Sequence, residues 1–275
     1  MLLSMLCIFL AIMLGFPALV NIFYSVSDVT FTDIRSPQII GFENFHTQLL
    51  STDMWEAMGF SLKFGVLASF LEVVIALILV FILHPILAKH PFLTAFLMLP
   101  MMISPALLGV MFRLVLNEFI GIIPQYLEFF GIYVNFLGPE FIYPTVVTIE
   151  VLQWTPFAFL ILLAARQSIS SDQEDAALMD AATPFQMIRF IFLPTMFPSI
   201  VIVAFIRFID SFRVFDHIYV LTGGGPGNKT TSISIYIYKL FFTYNKIGEA
   251  VAVSLILLAM SLVLLTSAMK LILRN

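Results

Sequence analysis

The sequence predicts an all-α membrane protein with about six transmembrane helices. Hydrophobic residues make up 61% of the 275 residues and charged residues only 11%, whereas an ordinary soluble domain carries about 25% charged residues. The mean hydropathy is +1.05, and the apolar runs are long enough to cross a bilayer core of roughly 30 Å. The net charge of -4 gives no basic surface, so nucleic acid is not expected as a partner.

Six apolar segments are expected to span the membrane, and together they form a single domain over residues 1–275. The first lacks the basic start and cleavage site of a secretory signal, so we expect it to stay as a span, bent by Pro17. Pro100 and Pro105 are expected to break hydrogen bonds in the third span that neighbouring helices then replace. The predicted spans are residues 1–24, 60–83, 92–116, 141–165, 195–220 and 250–273.

The connecting segments are polar and short. Residues 25–57 and 232–248 are expected to be extramembrane segments with short amphipathic structure. Residues 84–90 read as a turn and residues 117–140 as a loop. Six spans would put both chain termini on one side of the membrane, but lysine and arginine are nearly balanced between the two sides, so their distribution gives no orientation. The compared residues are Lys89, Arg166, Arg189, Lys270 and Arg274 on the termini side and Arg35, Lys229, Lys239 and Lys246 on the other, with Lys63 near a span end.

A polar stretch from Ser171 to Pro194 interrupts this apolar pattern and reads as two short capped helices. Ser171 and Glu174 have the S-x-x-E spacing of a capping box, in which each side chain satisfies a backbone N–H of the first turn. Thr183 and Gln186 repeat the pattern, with Pro184 at the first helical position. The stretch lies on the same side as the termini, where it would form a docking surface at the membrane face.

The fifth span carries ionisable residues of alternating sign at three-residue spacing: Arg207, Asp210, Arg213 and Asp216. Residues at this spacing are neighbours on a helix surface, and charges in a membrane must face the protein interior or water. Two interpretations stay open, a neutral ladder that holds helices in place and a polar pathway for a solute. The same alternatives apply to Glu72 and Glu150. Glu150, Gln153 and Trp154 also have the chemistry to bind a sugar through hydroxyl contacts and ring packing, although a lone tryptophan in a membrane span more often serves packing alone.

Other chemistries find little support. Residues 223–230 approach the phosphate-binding G-x-x-x-x-G-K-T pattern, but Asn228 replaces a required glycine and Pro226 removes a backbone donor. The glycines are instead expected to form a tight turn with positive backbone angles. No histidine and cysteine cluster has metal-ligand spacing, His46 and His217 are isolated, and the single cysteine, Cys7, cannot form an internal disulfide.

The stretch from Asp175 to Pro194 resembles the EAA signature, E-A-A-x-x-D-G-A followed by Q, I and L-P, of permease subunits of bacterial ABC importers. Asp175 stands where the signature has glutamate, and Ala181 stands where it has glycine. Residues 212–226, from Phe212 to Pro226, resemble the carbohydrate-uptake branch of that family. Gly41-Phe-Glu-Asn-Phe45 and Trp154-Thr-Pro-Phe157 add weaker agreement.

This resemblance implies a multi-pass subunit of the bacterial inner membrane with both termini cytoplasmic. Its partners would be a second permease, two ATPase subunits that bind ATP and magnesium, an extracytoplasmic solute-binding protein and membrane lipid. The chain itself would hold no cofactor and would not be an enzyme. The loop 166–194 would couple to the ATPases, with small alanines allowing close approach and carboxylates facing basic partners. The expected coupling residues are Glu174, Asp175, Ala176, Ala177, Asp180, Ala181, Gln186, Leu193 and Pro194.

The resemblance also implies that the chain forms half of a translocation pathway for a sugar or related polyol. Gly223, Gly224, Gly225 and Pro226 would then face the binding protein. An ion-coupled carrier or channel stays an alternative, as does an intramembrane enzyme that uses Glu72, Glu150 or Asp210. The side chains expected on the pathway are Glu150, Gln153, Trp154, Arg207, Asp210 and Tyr219.

Overall fold

The computed structural model describes residues 2–87 and 89–273. Met1, Ala88 and residues 274–275 lie outside the described residues, and with them the first residue of the predicted first span and Arg274 of the charge comparison. The chain divides into two compact units. One comprises the described residues up to Gly59 and from Thr231 onward, and the other comprises Phe60–Thr230 without Ala88.

The described residues are mostly helical, which confirms the predicted fold class, and one two-stranded antiparallel hairpin is present among them. The elements in chain order are α1 (Leu2–Leu10), α2 (Phe16–Ser25), β1 (Ser27–Asp28), β2 (Gln38–Ile39), α3 (Glu43–Leu49), α4 (Thr52–Leu87), α5 (Leu93–Met102), α6 (Pro105–Val115), α7 (Ile122–Phe129), α8 (Ile142–Gln167), α9 (Ser171–Met179), α10 (Pro184–Met187), α11 (Leu193–Phe212), α12 (Asp216–Thr222), α13 (Ile233–Tyr238) and α14 (Ile247–Leu273). Single π-helical turns at Ala11–Gly15, Ile188–Phe192 and Lys239–Thr243 join α1 to α2, precede α11 and follow α13.

In the first unit, the segment after α2 is held by Asn44 of α3. The Asn44 Nδ2 atom donates to the carbonyl oxygens of Ser25 and Ser27, both at 2.9 Å. Gly41 precedes α3 with a φ of +68°, a backbone conformation that glycine adopts at little cost. The Gly41-Phe-Glu-Asn-Phe45 segment thus has a structural role, because its glycine makes the turn and its asparagine pairs two backbone carbonyls.

A second polar contact joins α3 to the end of the chain. Gln48 Nε2 donates to Glu249 of α14 at 2.5 Å, and the Tyr236 hydroxyl of α13 donates to Gln48 Oε1 at 2.9 Å. Helix α14 runs from Ile247, close to the predicted start of the sixth span at residue 250. The short helix α13 lies between residues 232 and 248, where short amphipathic structure is expected, and the extramembrane position of this segment stays a prediction.

Helix α4 is longer than predicted at both ends. The sequence predicts a loop to residue 57 and a span over 60–83, whereas α4 runs from Thr52 to Leu87. The Ser51 hydroxyl accepts from the Met54 N–H at 3.4 Å, which caps the first turn. Pro85 lies in the last turn of α4, where it does not end the helix.

The predicted third span is two helices, not one. Helices α5 and α6 meet at an 85° bend, because Pro105 forces the residue before it into extended backbone. Gln153 of α8 donates its Nε2 to the carbonyl of Ile103 at the bend, at 2.9 Å. At the break between the two helices, a neighbouring helix thus supplies a side-chain donor to a backbone carbonyl.

The second unit packs around α8, whose bounds agree with the predicted fourth span over 141–165. The predicted fifth span is broken near its end, since α11 stops at Phe212 and α12 starts at Asp216. Two glycines allow close helix contacts here: a Cβ on Gly65 of α4 would lie 3.2 Å from the Phe212 backbone, and a Cβ on Gly109 of α6 would lie 2.9 Å from the His217 carbonyl oxygen. The buried apolar core of this unit includes Val73, Ala76, Val80, Leu87, Ala158, Phe159, Leu162, Leu163, Ile169, Ala177, Met187, Phe192, Met196 and Val203.

Four helical segments of the described chain are long and apolar enough to cross a membrane, and α5 with α6 makes a fifth crossing if the bent pair is one span. The stretch Ile247–Val263 of α14 is apolar but shorter. Six crossings therefore stay a prediction. The four long segments are Met5–Ser25, Thr52–Leu87, Ile142–Gln167 and Pro184–Thr222.

Candidate functional site

Arg207 is the centre of a buried charge cluster in the second unit. Its Nε and Nη2 atoms donate to the two carboxylate oxygens of Glu72 at 2.6 and 3.2 Å. Nη2 also donates to Glu150 at 3.0 Å. The side chains of Arg207, Glu72 and Glu150 are 1%, 0% and 3% exposed. One guanidinium therefore connects α4, α8 and α11, and we call this group the Arg207 cluster.

The outer part of the cluster is the exposed end of α11. Asp210 is 47% exposed and lies 3.5 Å from Arg207 Nη1 and 3.3 Å from Arg213 Nη2. The predicted adjacency of alternating charges on the helix surface is confirmed for these three residues. Asp216 does not extend it on the same helix surface, because it lies in the first turn of α12 beyond the break.

The predicted pathway residues divide into buried and accessible ones. Glu150 and Arg207 are paired inside the cluster, and Gln153 is fully buried with its amide on the Ile103 carbonyl. Trp154 is half-buried, and its ring centroid lies 4.7 Å from the Arg207 guanidinium carbon. Tyr219 is half-buried and its ring stacks on Phe215 at 5.0 Å. Trp154, Asp210 and Tyr219 are therefore the accessible members of the predicted set.

Sequence reasoning missed the partners within the cluster. Glu72 and Arg207 are 135 residues apart in the sequence, and only the need of a membrane charge for a counter-charge pointed to such a pair. His217, taken as isolated, is 2% exposed and its Nε2 lies 3.6 Å from Glu150. The intramembrane enzyme gains no support from this geometry, because Glu72 and Glu150 are both engaged by Arg207.

The second candidate site is the loop that contains α9 and α10. The predicted capping box at Ser171 and Glu174 is wrong, since the N-cap is Ser170, whose hydroxyl accepts from the Asp172 N–H at 3.2 Å. The carboxylate of Glu174 instead forms an ion pair with Arg166. An ion pair to a buried arginine competes with the backbone contact, and the adjacent serine supplies the cap.

The second predicted capping box is confirmed. Thr183 accepts from the Gln186 N–H, the Gln186 side chain accepts from the Thr183 N–H, and Pro184 is at the first helical position. However, α10 does not end before the fifth span, because the π-helical turn Ile188–Phe192 carries it into α11. Pro194 follows this turn, and the irregular hydrogen bonding accommodates a residue that has no N–H to donate.

Ala181 forms the turn between the two short helices. Its φ is +51°, in the left-handed region that favours glycine. The Ala181 N–H donates to the Leu178 carbonyl, and the Ala182 N–H donates to the Ala177 carbonyl, both at 3.0 Å. These two bonds define a Schellman motif. The turn closes even though alanine replaces the signature glycine, at the cost of a strained backbone.

Glu174 faces inward and is held by Arg166 at the end of α8. The two oxygens of Glu174 accept from Nη1 and Nη2 of Arg166 at 2.7 and 3.1 Å. These hydrogen bonds lower the pKa of Glu174 below its ordinary value. Because the folded-state pKa is lowered, the pair stabilises the loop fully above the ordinary glutamate pKa, and this contribution is lost as the pH falls through the lowered value.

The remaining coupling candidates are mostly exposed. Asp175, Ala176, Asp180 and Gln186 are exposed, as is Pro194. Ala177 is buried in the second unit, and Leu193 is half-buried there. Four large apolar side chains of the loop are also exposed in this chain, Leu178 at 60%, Met179 at 88%, Phe185 at 69% and Phe190 at 68%. The surface thus combines carboxylates with apolar side chains.

The glycine segment after α12 forms the expected turn. Gly223 and Gly224 have φ angles of +63° and +89°. The hydroxyls of Thr222 and Thr230 lie 2.8 Å apart, and the Thr230 hydroxyl donates to the Gly225 carbonyl at 2.8 Å. The segment is a compact turn closed by two threonines, which agrees with the structural interpretation of its glycines.

The comparison with known proteins agrees with a multi-pass transport protein. Residues 90–274 match the family described as "Binding-protein-dependent transport system inner membrane component". The chain is 34% identical over 224 residues to the trehalose/maltose transport system permease protein MalF of Thermococcus litoralis, covering 81% of this chain and 74% of the relative. It is 32% identical over 245 residues to a probable ABC transporter permease protein, y4oQ, of Sinorhizobium fredii, covering 88% and 79%.

A solved structure has the same fold. A chain of a bacterial ABC transporter involved in the import of the acidic polysaccharide alginate superposes with a TM-score of 0.84 at 24% sequence identity, over 99% of this chain and 95% of that chain. Fold and sequence together define a membrane permease of an import system. The chain belongs to the family of inner-membrane components of binding-protein-dependent transport systems.

The family inferred from the EAA-like signature is therefore confirmed, as is a multi-pass location in the inner membrane. The resemblance to the carbohydrate-uptake branch is confirmed as well, since several relatives are named as permease proteins of sugar transport systems. The roles of individual residues are not decided by these similarities.

Replacing Arg207 with methionine should destabilise the second unit strongly. The change leaves two buried carboxylates without their cation, and breaking a buried ion pair in this way costs about 3–5 kcal/mol. Arg213→Met is the matched control, because Arg213 is 58% exposed and exposed pairs contribute under about 1 kcal/mol. Thermal unfolding in detergent measures both, and equal melting temperatures for the two variants would contradict a central role for Arg207.

Ala181→Gly should stabilise the turn of the loop. The substitution relieves left-handed strain of about 1 kcal/mol, so hydrogen exchange at the Ala182 amide should slow by roughly fivefold. Ala182→Gly, one residue along at a position without positive φ, should have the opposite effect because glycine adds chain entropy. Mass-spectrometric hydrogen exchange over residues 176–186 distinguishes the two, and faster exchange in Ala181→Gly would refute the strain.

Proposed function

We propose that this chain is one of two membrane subunits of an ATP-driven importer and forms half of the pathway for a sugar or related polyol. The sugar class is supported by relatives named for trehalose/maltose transport and for trehalose transport in Mycobacterium tuberculosis, the latter at 29% identity over 218 residues. ATP and magnesium would be bound by partner ATPases, and this chain would carry no cofactor.

The observation that carries the proposal is the exposed surface of the α9–α10 loop. Asp175 and Asp180 flank Ala176, Leu178 and Met179 on this surface. Exposed apolar side chains rimmed by carboxylates are typical of a surface that a protein partner covers. Asp175 replaces the signature glutamate at this position, and because Glu174 is held by Arg166, Asp175 is the carboxylate available to a basic partner.

The proposed assembly contains a second permease, two ATPase subunits and an extracytoplasmic solute-binding protein. The loop and both termini would face the cytoplasm. The glycine turn at Gly223–Pro226 would then face the binding protein. A related fold has been solved in a bacterial alginate ABC transporter together with an alginate pentasaccharide-bound periplasmic protein, which supports this partner by analogy of fold.

For the solute, we assign contact to Asp210, Trp154 and Tyr219 and a supporting role to Arg207, Glu150 and Gln153. The carboxylate of Asp210 is half-exposed beside the Arg207 guanidinium, which also lies near the Trp154 ring. A carboxylate next to an aromatic ring suits the hydroxyls and the apolar face of a sugar. The buried residues fix both side chains in place.

Exchanging Asp175 and Asp180 for lysine should release the ATPase. Loss of two charged contacts and like-charge repulsion should weaken its binding by roughly tenfold or more, while the spans stay inserted. Co-purification of the ATPase and ATP-dependent uptake in vesicles measure the effect. Lysines at Asp28, at the end of β1, and at Asp33, in the turn after it, give the same charge change at exposed positions elsewhere and should leave assembly intact; normal assembly of the first variant would refute the docking role.

Asp210→Asn should weaken solute handling without affecting assembly. Replacing a charged hydrogen-bond acceptor should raise the half-saturating sugar concentration for uptake by roughly tenfold. The matched control is Asp216→Asn, since Asp216 is exposed in the next helix. Uptake is measured at a fixed excess of the binding protein over the importer while the sugar concentration is varied, with trehalose and maltose as first probes. An unchanged half-saturating concentration would remove Asp210 from the pathway.

A further inference from the structure

Arg166 is a second buried arginine of the second unit, and its side chain pairs with Glu174. It lies in the last turn of α8, and its side chain is 7% exposed. Its two terminal nitrogens contact the two oxygens of Glu174 in a parallel fork. Such bidentate pairs fix orientation as well as distance. The start of α9 is therefore tied to the end of α8.

The other face of the Arg166 guanidinium contacts a different element. Its central carbon lies 3.8 Å from the ring centroid of Phe192, within the range of a cation–π interaction. Phe192 is buried in the π-helical turn before α11, and its ring stacks on Phe81 of α4 at 6.2 Å. One side chain thus joins α8, α9 and the entrance to α11, and Phe192 extends the contact to α4.

Apolar residues from α9, α10 and the segment between α8 and α9 pack in the same core as Phe192. These residues are Ala177, Met187 and Ile169, and all three are buried. Moving α9 relative to α8 would separate the fork from Glu174, and moving α11 would remove the ring from the guanidinium. Either motion alone leaves a buried charge less well paired, which is costly. The three helices are thereby constrained to move together.

We propose that Arg166, Glu174 and Phe192 form a clamp that transmits movement of the coupling loop to the membrane helices α8 and α11. Arg166 is a positioning residue in this assignment, and Glu174 acts inside the chain and not on the ATPase. The inference rests on the proposed function, since it presupposes that the loop is driven by an ATPase. The two adjacent carboxylates thus have different roles: Asp175 faces the ATPase, and Glu174 binds Arg166 within the chain.

The test uses the assembled importer in lipid vesicles and measures the ratio of sugar imported to ATP hydrolysed. Arg166→Lys keeps the charge but loses the fork and the flat stacking surface. Arg189→Lys is the matched control, because Arg189 is an exposed arginine of the same loop whose ring contact is with its neighbour Phe190. Assembly is monitored by co-purification of the ATPase, and ATP hydrolysis is measured without sugar as well.

We expect Arg166→Lys to assemble and hydrolyse ATP while the import ratio falls by roughly tenfold. Arg189→Lys should keep the ratio of the unmodified importer. An unchanged ratio in Arg166→Lys overturns the clamp. If that variant does not assemble, Glu174→Gln, which keeps the shape and removes the charge, decides by the same criterion. Failure of the unmodified chain to bind an ATPase would instead refute the proposed function itself.

Discussion

A positive charge in an apolar interior must be neutralised by carboxylates of the same protein, and this constraint determines the arrangement around Arg207. Glu72 and Glu150 reach it from two other helices at 2.6 and 3.0 Å. Because desolvated charges tolerate little change in geometry, α4, α8 and α11 are fixed relative to one another at this point. Contacts with Arg207 also fix the positions of the two accessible groups near the cluster, Asp210 and Trp154.

The same principle operates near the other end of α8 and α11. Arg166 is nearly as buried as Arg207 and is likewise satisfied by a carboxylate from another helix, together with the Phe192 ring. Arg207 of α11 pairs with Glu150 of α8. Arg166 of α8 contacts Phe192 in the turn that leads into α11. A helix pair held at two places can rotate as a body but resists shear. This is the mechanical property that a subunit driven through its surface loop requires.

The fold class and the approximate positions of the long apolar helices follow from the length and composition of the apolar runs, and the family follows from the spacing of Asp175 to Pro194. The longer-range features do not. The bend between α5 and α6 occurs at Pro105, but the donor that pairs the Ile103 carbonyl there is Gln153, fifty residues later in the chain, and the break after Phe212 occurs without proline or glycine. The cap predicted at Ser171 lies instead at Ser170, because Glu174 pairs with Arg166, eight residues earlier in the chain. A local sequence pattern cannot show that partner. Within the Arg207 cluster, each charge was visible in the sequence, but its partner was not.

If both arginine contacts persist during transport, α4, α8, α9 and α11 move as one body, and the distance between α4 and α9 stays constant. Cys7 is the single cysteine and is first replaced by serine. Cysteines that carry spin labels are then introduced at exposed Asp172 of α9 and exposed Leu62 of α4. The distance between the two labels reports on both arginine contacts. The labelled importer must first hydrolyse ATP and import sugar normally. We predict the same mean distance in the nucleotide-free and ATP-bound states. A change of several ångström between these states would contradict the account.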